Sequence, residues 1–185
     1  MNTEKGLEHL IIGNRIPYEF FISKGTGESD ITVHAGSFHL AMKEAGIERF
    51  NCIPYTSILP AIAREVSRPK DYVHGSVAEY IVAISNVRKG ERATAGIIYG
   101  WLYDKGTKKK HGGLVCEYGG NDSEREAQDS LRRSLEEIYT SGFSEQYELQ
   151  EPRVITKTFL PQKKFGTALV ALTFTSYQYP ILGKK

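Results

Sequence analysis

The chain has 185 residues, with 24 Lys and Arg against 22 Asp and Glu for a formal charge of +2, which is one domain's length without a strong charge bias. Hydrophobic residues at 40% and aromatic residues at 11% are enough to build a core, which excludes a disordered or low-complexity chain. The one dense basic run, Lys108–Lys110, reads as a solvated hairpin tip rather than a nucleic-acid footprint, and no apolar run nears the ~20 residues that span a bilayer.

Residues 16–23 read as a first strand, and residues 24–30, with Gly25, Gly27 and short polar neighbours, as a loop. From about Val33 to Ala45 the period changes: Ala35, Phe38, Met42 and Ala45 make one apolar helical face, with Gly46 placed for a left-handed C-terminus. Residues 50–55 form a short strand interrupted by Pro54. Residues 72–87 and 93–104 are long runs rich in Val, Ile, Tyr and Ala, joined by a turn at Arg88–Glu91. Another strand covers 112–118, after a turn at Gly106–Lys110. Ser123-x-x-Glu126 is a capping box ahead of a helix carrying Ala127, Leu131, Leu135 and Ile138 and closed by Gly142. Two late strands follow at about 147–159 and 166–179. The order predicts an α/β (α+β) sandwich of mainly antiparallel strands, because the strands lie too close together for a parallel βαβ series. No internal repeat or linker composition divides the chain, so a single domain over 1–185 is expected.

Common site motifs are missing. Gly25-Thr26-Gly27 lacks a third glycine, and no Gly-Lys-[Ser/Thr] closes a phosphate loop. The five histidines (His9, His34, His39, His74, His111) have no HxH or HExxH spacing, so no metal is expected. Cys52 and Cys116 have no CxxC partner, and Met1–Lys5 has no basic-then-apolar leader, which together predict reduced thiols and a cytoplasmic protein.

Asn51-Cys52-Ile53-Pro54-Tyr55-Thr56-Ser57-Ile58-Leu59-Pro60 is more specific. Two prolines bracket a Thr-Ser pair in an apolar run, and proline restricts both itself and the residue before it. The segment reads either as a buried turn capped by hydroxyls or as a peptide held for chemistry. It resembles the self-cleavage segment of the pyruvoyl-dependent arginine decarboxylase family, in its bacterial branch. His74–Glu79, Glu117-Tyr118 and Gln162–Leu169 resemble further family segments in order, so the likeness covers roughly residues 35–175.

The resemblance implies a four-layer αββα sandwich that assembles as a homo-trimer or a dimer of trimers, with active sites between subunits and neither nucleic acid nor membrane as a partner. It implies a proenzyme in which the Ser57 hydroxyl attacks the Thr56 carbonyl, splitting the chain into 1–56 and 57–185. A pyruvoyl group derived from Ser57 then forms a Schiff base with an amino-acid substrate, in place of pyridoxal phosphate or a metal. Asn51 matches the position linked to processing, and Glu117 matches the proton donor. In the family, the first helix carries an Asp that pairs with the substrate guanidinium. Here His39 stands in its place, with Ser37, Glu44 or Glu48 as compensating candidates, so substrate contacts are expected from His39, Ser37, Glu48 and Thr56. The expected reaction is L-arginine to agmatine and CO2. The alternatives are decarboxylation of another amino acid, which His39 favours, and an uncleaved trimeric binding protein of the same fold.

Overall fold

The computed structural model describes residues 10–184; His9, the leader reading of Met1–Lys5 and the outermost residues of the expected 1–185 domain lie outside them. Eleven strands and two α-helices occupy this span: β1 (Leu10–Ile12), β2 (Ile16–Ser29), a π-helical turn (Val33–Phe38) running into α1 (His39–Ala45), β3 (Asn51–Pro54), β4 (Ile58–Pro60), β5 (Arg64–Glu65), β6 (Val77–Arg88), β7 (Ala93–Asp104), β8 (Lys110–Gly120), α2 (Glu124–Gly142), β9 (Tyr147–Phe159), β10 (Phe165–Gln178) and β11 (Ile181–Lys184). One sheet has the order β3-β6-β10-β2-β5, a second has β4-β8-β7-β9, and β1 pairs with β11 in a separate ribbon. The pairings are antiparallel except β2 with β5 and β3 with β6.

Strand alternation explains the layers. On β10, Ala168, Val170, Leu172 and Phe174 face Phe20, Ile81, Ile97 and Val115 between the sheets, while Leu169 and Ala171 point outward onto Ala41 and Ala45 of α1. On β7, Ile97 enters the central core and Ile98 packs beneath Leu131 and Leu135 of α2. Each such buried aliphatic side chain stabilises the fold by about 1.5–3 kcal/mol. The result is the expected four-layer αββα sandwich. The capping box at α2 is complete: the Glu126 N–H donates to Ser123 Oγ at 3.3 Å, and the Ser123 N–H donates to Glu126 Oε2 at 2.9 Å.

Three expectations are corrected. Residues 24–29 are not a loop but continue β2, where Gly25 pairs with Leu169 and Gly27 with Thr167. Glycine is needed because α1 lies on this strand: a Cβ on Gly25 would stand 2.8 Å from the Ala45 nitrogen, and one on Gly27 2.7 Å from Leu40 Cβ. The first helical segment opens as a π-helical turn and becomes α-helical only at His39, although Gly46 ends it in the left-handed region with φ 70°. The strand expected from residue 72 begins at Val77, since a turn at Gly75 with φ 82° precedes it. The short strands β1, β4, β5 and β11 have no counterpart in the sequence reading, because two to four residues do not establish a period.

Candidate active site at the sheet crossing

β3 lies at the edge of the five-stranded sheet and β4 at the edge of the four-stranded sheet, so Tyr55–Ser57 carry the chain from one sheet to the other. Both ends of this crossing are pinned. The Tyr55 N–H donates to the Tyr80 carbonyl at 2.8 Å, and the Val115 N–H donates to the Ser57 carbonyl at 2.9 Å. Between them the Ile58 N–H donates to the Thr56 carbonyl at 3.0 Å, which closes a three-residue turn centred on Ser57. Leu59, fully buried in the central core, anchors the far side.

The Ser57 hydroxyl donates to Glu117, 3.2 Å from Oε1 and 3.1 Å from Oε2. Alternation on β8 sends Val115 into the central core and Cys116 under α2. Glu117 therefore points to the same face as Val115, past the rim of that core. Its side chain is open to solvent in the single chain, yet crowding by the surrounding protein is the largest influence on its carboxyl and pushes the pKa up, against the hydrogen bond from Ser57. The neighbouring Cys116 is no rival nucleophile: burial, then the Glu117 charge, pushes its thiol up to about 11.

Thr56, Ser57 and Glu117 are brought together, whereas the other sequence-predicted residues lie apart from the Ser57–Glu117 contact. Asn51 is exposed on β3, and its Nδ2 donates to the Gly75 carbonyl at 2.8 Å rather than to the Thr56–Ser57 peptide. With His34, Phe38, Met42, Cys52 and Tyr80 it lines a cavity of about 530 Å³. His39 is exposed on α1. Ser37 is enclosed: it is fully buried, and its hydroxyl lies 2.8 Å from Thr167 Oγ1 and 3.4 Å from the Val33 carbonyl, so it presents nothing to a ligand in this chain. Glu48 is half-buried, 3.8 Å from Arg49 Nε. Glu44 is occupied by Lys157 and by the N–H and hydroxyl of Thr26, each at 2.8 Å. These bonds hold its pKa below the usual carboxylate range, although partial burial, the largest single influence, acts the other way. A larger cavity, about 790 Å³, lies on the α1 side between Thr26, Leu40, Glu44 and Phe159 and does not include Ser57 or Glu117.

Glu79 escaped the sequence reading except as one letter of a family segment. It is 1% exposed on β6, ion-paired with Arg15, and accepts the Tyr177 hydroxyl. Arg15 is itself exposed, and its Nε lies 3.4 Å from the Tyr55 hydroxyl, so the network runs from the buried Glu79 out to the crossing segment. A lone carboxylate between Ala78 and Tyr80 in an apolar strand was the signal, since buried charges are ordinarily paired. Among the described residues, no three His, Cys, Asp or Glu side chains gather as metal ligands.

Residues 19–179 match the sequence profile of the pyruvoyl-dependent arginine decarboxylases. The chain belongs to that family. Relatives include pyruvoyl-dependent arginine decarboxylase 2 of Archaeoglobus fulgidus, 29% identical with 86% of this chain and 97% of that protein aligned. Two proteins named pyruvoyl-dependent arginine decarboxylase AaxB are similar at 31%: one from Chlamydia trachomatis, aligned over 90% of this chain and 94% of its own, and one from Chlamydia pneumoniae, over 91% and 96%. The family match spans both edge strands of the crossing and Glu117.

Proposed function

We propose that the chain is a self-processing pyruvoyl-dependent decarboxylase that converts L-arginine to agmatine and CO2. The observation that carries this reading is the Ser57 hydroxyl held 3.1 Å from Glu117, beside a Thr56 carbonyl fixed in a pinned turn. Cleavage at Thr56–Ser57 divides the chain into 1–56 and 57–185, and the new terminus at 57 keeps a carboxylic acid at hand, so the residues present fit a pyruvoyl group. That group supplies a ketone for Schiff-base formation with the substrate amine and an adjacent carbonyl as electron sink. Glu117, with its pKa raised, returns a proton to the substrate carbon that has lost CO2.

Arginine as substrate is supported by the names of the relatives. The exposed His39 at the guanidinium position, with Glu44 already bound to Lys157, favours a different amino acid as the second reading. A trimeric or hexameric assembly is supported by the exposed Ile53, Ile58 and Val77 on β3, β4 and β6, apolar side chains that flank the site and suit cover by a second copy. A cytoplasmic setting accords with two free thiols, Cys52 and Cys116. Among the described residues, no helix is long and apolar enough to cross a membrane.

The test is denaturing mass measurement of the wild type and Ser57→Ala, with CO2 release from a panel of amino acids. Two fragments from the wild type, one chain from Ser57→Ala and preferential turnover of arginine are expected. A Ser57→Ala chain that still splits at this bond overturns the assignment. An uncleaved wild type that releases no CO2 replaces it with a binding protein of the same fold.

A further inference from the structure

The Ile58 amide has an unusual partner. β4 is an edge strand whose inner side pairs with β8, the Ser57 carbonyl accepting there from Val115. Amides alternate sides along a strand, so Ile58 turns its N–H to the open side, where no neighbouring strand accepts it. It is not left to solvent: it lies 3.0 Å from the Thr56 carbonyl oxygen, the oxygen of the bond expected to break.

We propose that the backbone N–H of Ile58 is the oxyanion donor for self-cleavage at Thr56–Ser57, an inference that rests on the processing proposed above. When Ser57 Oγ bonds to the Thr56 carbonyl carbon, the π electron pair moves onto the Thr56 oxygen. Collapse restores the carbonyl and breaks the Thr56–Ser57 C–N bond, and the hydroxyl proton ends on the Ser57 nitrogen. The products of this shift are an ester and an amine with the atoms of the starting chain. Elimination of the Ser57 α-proton then breaks the Cβ–Oγ bond and frees 1–56 as a carboxylic acid, and water hydrolyses the dehydroalanine left at position 57 to the ketone with release of ammonia. The negative charge appears at the oxygen already bonded to the Ile58 N–H. A donor in place before charge develops needs no reorganisation, and such donors are worth roughly 10²–10³ in rate. The bonds Tyr55–Tyr80 and Val115–Ser57 hold the two ends of the turn, which keeps the donor aimed while the carbonyl carbon changes shape.

The decisive experiment removes the N–H and keeps the side chain. Ile58 is replaced, by nonsense suppression, with the α-hydroxy acid bearing the same side chain, which turns the Ser57–Ile58 amide into an ester. Ile58→Pro removes the same N–H by other means, at an edge position where proline is tolerated. Ile58→Val keeps it. Conversion of precursor to fragments is followed by mass in the folded fraction, identified by its cooperative thermal transition. Both donor-less chains are expected to cleave about 10²-fold or more slowly than wild type, and far more slowly than Ile58→Val, which retains the donor. Cleavage at the wild-type rate in either folded donor-less chain overturns the donor while leaving processing intact. A wild type that never splits overturns the processing itself and the donor with it.

Discussion

At Glu117, crowding by the surrounding protein favours the neutral acid, and this sets the pH dependence expected of the proposed proton donor. A proton donor works only while protonated, so decarboxylation is expected to fall as pH rises through the raised pKa of Glu117. Stability has the same sign: the neutral form is favoured more in the folded chain than in the unfolded one, so its contribution is present below the ordinary carboxylate range and lost as pH rises through the folded value. Glu117→Gln should process, since the amide oxygen still accepts from Ser57, yet lose turnover by ~10²-fold and lose the high-pH limb. A kcat profile against pH for both proteins checks this, and an unchanged limb in the Gln protein moves the donor elsewhere. His39 is the second residue with a measurable consequence. An imidazole cannot accept the bidentate pair that a carboxylate offers a guanidinium, so His39→Asp is expected to lower the KM for arginine by about 10–150-fold, from about 1.5–3 kcal/mol for a charge-assisted bond. No change in KM would assign the guanidinium to another side chain. Residue types made Ser57 and Glu117 legible in the sequence only together with the family likeness. Their contact joins positions on β4's flank and β8 that no local spacing relates, and Glu79 stayed hidden because its partners Arg15 and Tyr177 lie far away in sequence.

At the scale of elements, the long strands and α2 were legible because their period repeats over many residues. β7 and β9 fall at Ala93–Asp104 and Tyr147–Phe159, where alternation and turn residues placed them, and the Ser123–Glu126 box marks the start of α2. The glycines of β2 show why the rest was not. Gly25-Thr26-Gly27 has the composition of a turn, and the reason it is a strand is a helix that returns across it from further along the chain. Composition reports local freedom and does not report a close approach made in the fold. Gly27→Ala is therefore expected to push α1 off the sheet and destabilise the protein by about 1–3 kcal/mol, the cost of overpacking a closed contact. Denaturant unfolding measures it, and a midpoint equal to wild type would show that α1 gives way freely.

Across the whole molecule, the position of the proposed break matters as much as its chemistry. The described part of the 1–56 fragment supplies β1, β2, α1 and β3, and β2 lies inside the five-stranded sheet, hydrogen-bonded to β10 from Ile16 to Ser29. Phe20 packs in the central core, while Phe21, Ala41 and Ala45 fill the layer beneath α1. Burial of that kind stabilises by about 25 cal/mol per Å² of apolar surface and does not depend on the covalent link at Thr56–Ser57. The break also falls between two sheets, and the backbone bonds that pin the crossing, Tyr55 to Tyr80 and Val115 to Ser57, lie on either side of it. Processing is thus expected to leave the fold assembled: two masses under denaturing conditions, but one particle containing both fragments in native sedimentation. What cleavage removes is the tether. Refolding of the processed protein from denaturant becomes bimolecular, so its yield should fall on dilution, while that of uncleaved Ser57→Ala should not, apart from any step of subunit assembly common to both. Refolding yields measured for the two proteins over a hundredfold range of concentration make the comparison. Equal concentration dependence would mean that the 1–56 fragment docks without limiting the reaction, and separation of the fragments under native conditions would mean that the buried strand β2 is held less firmly than its pairing with β10 implies.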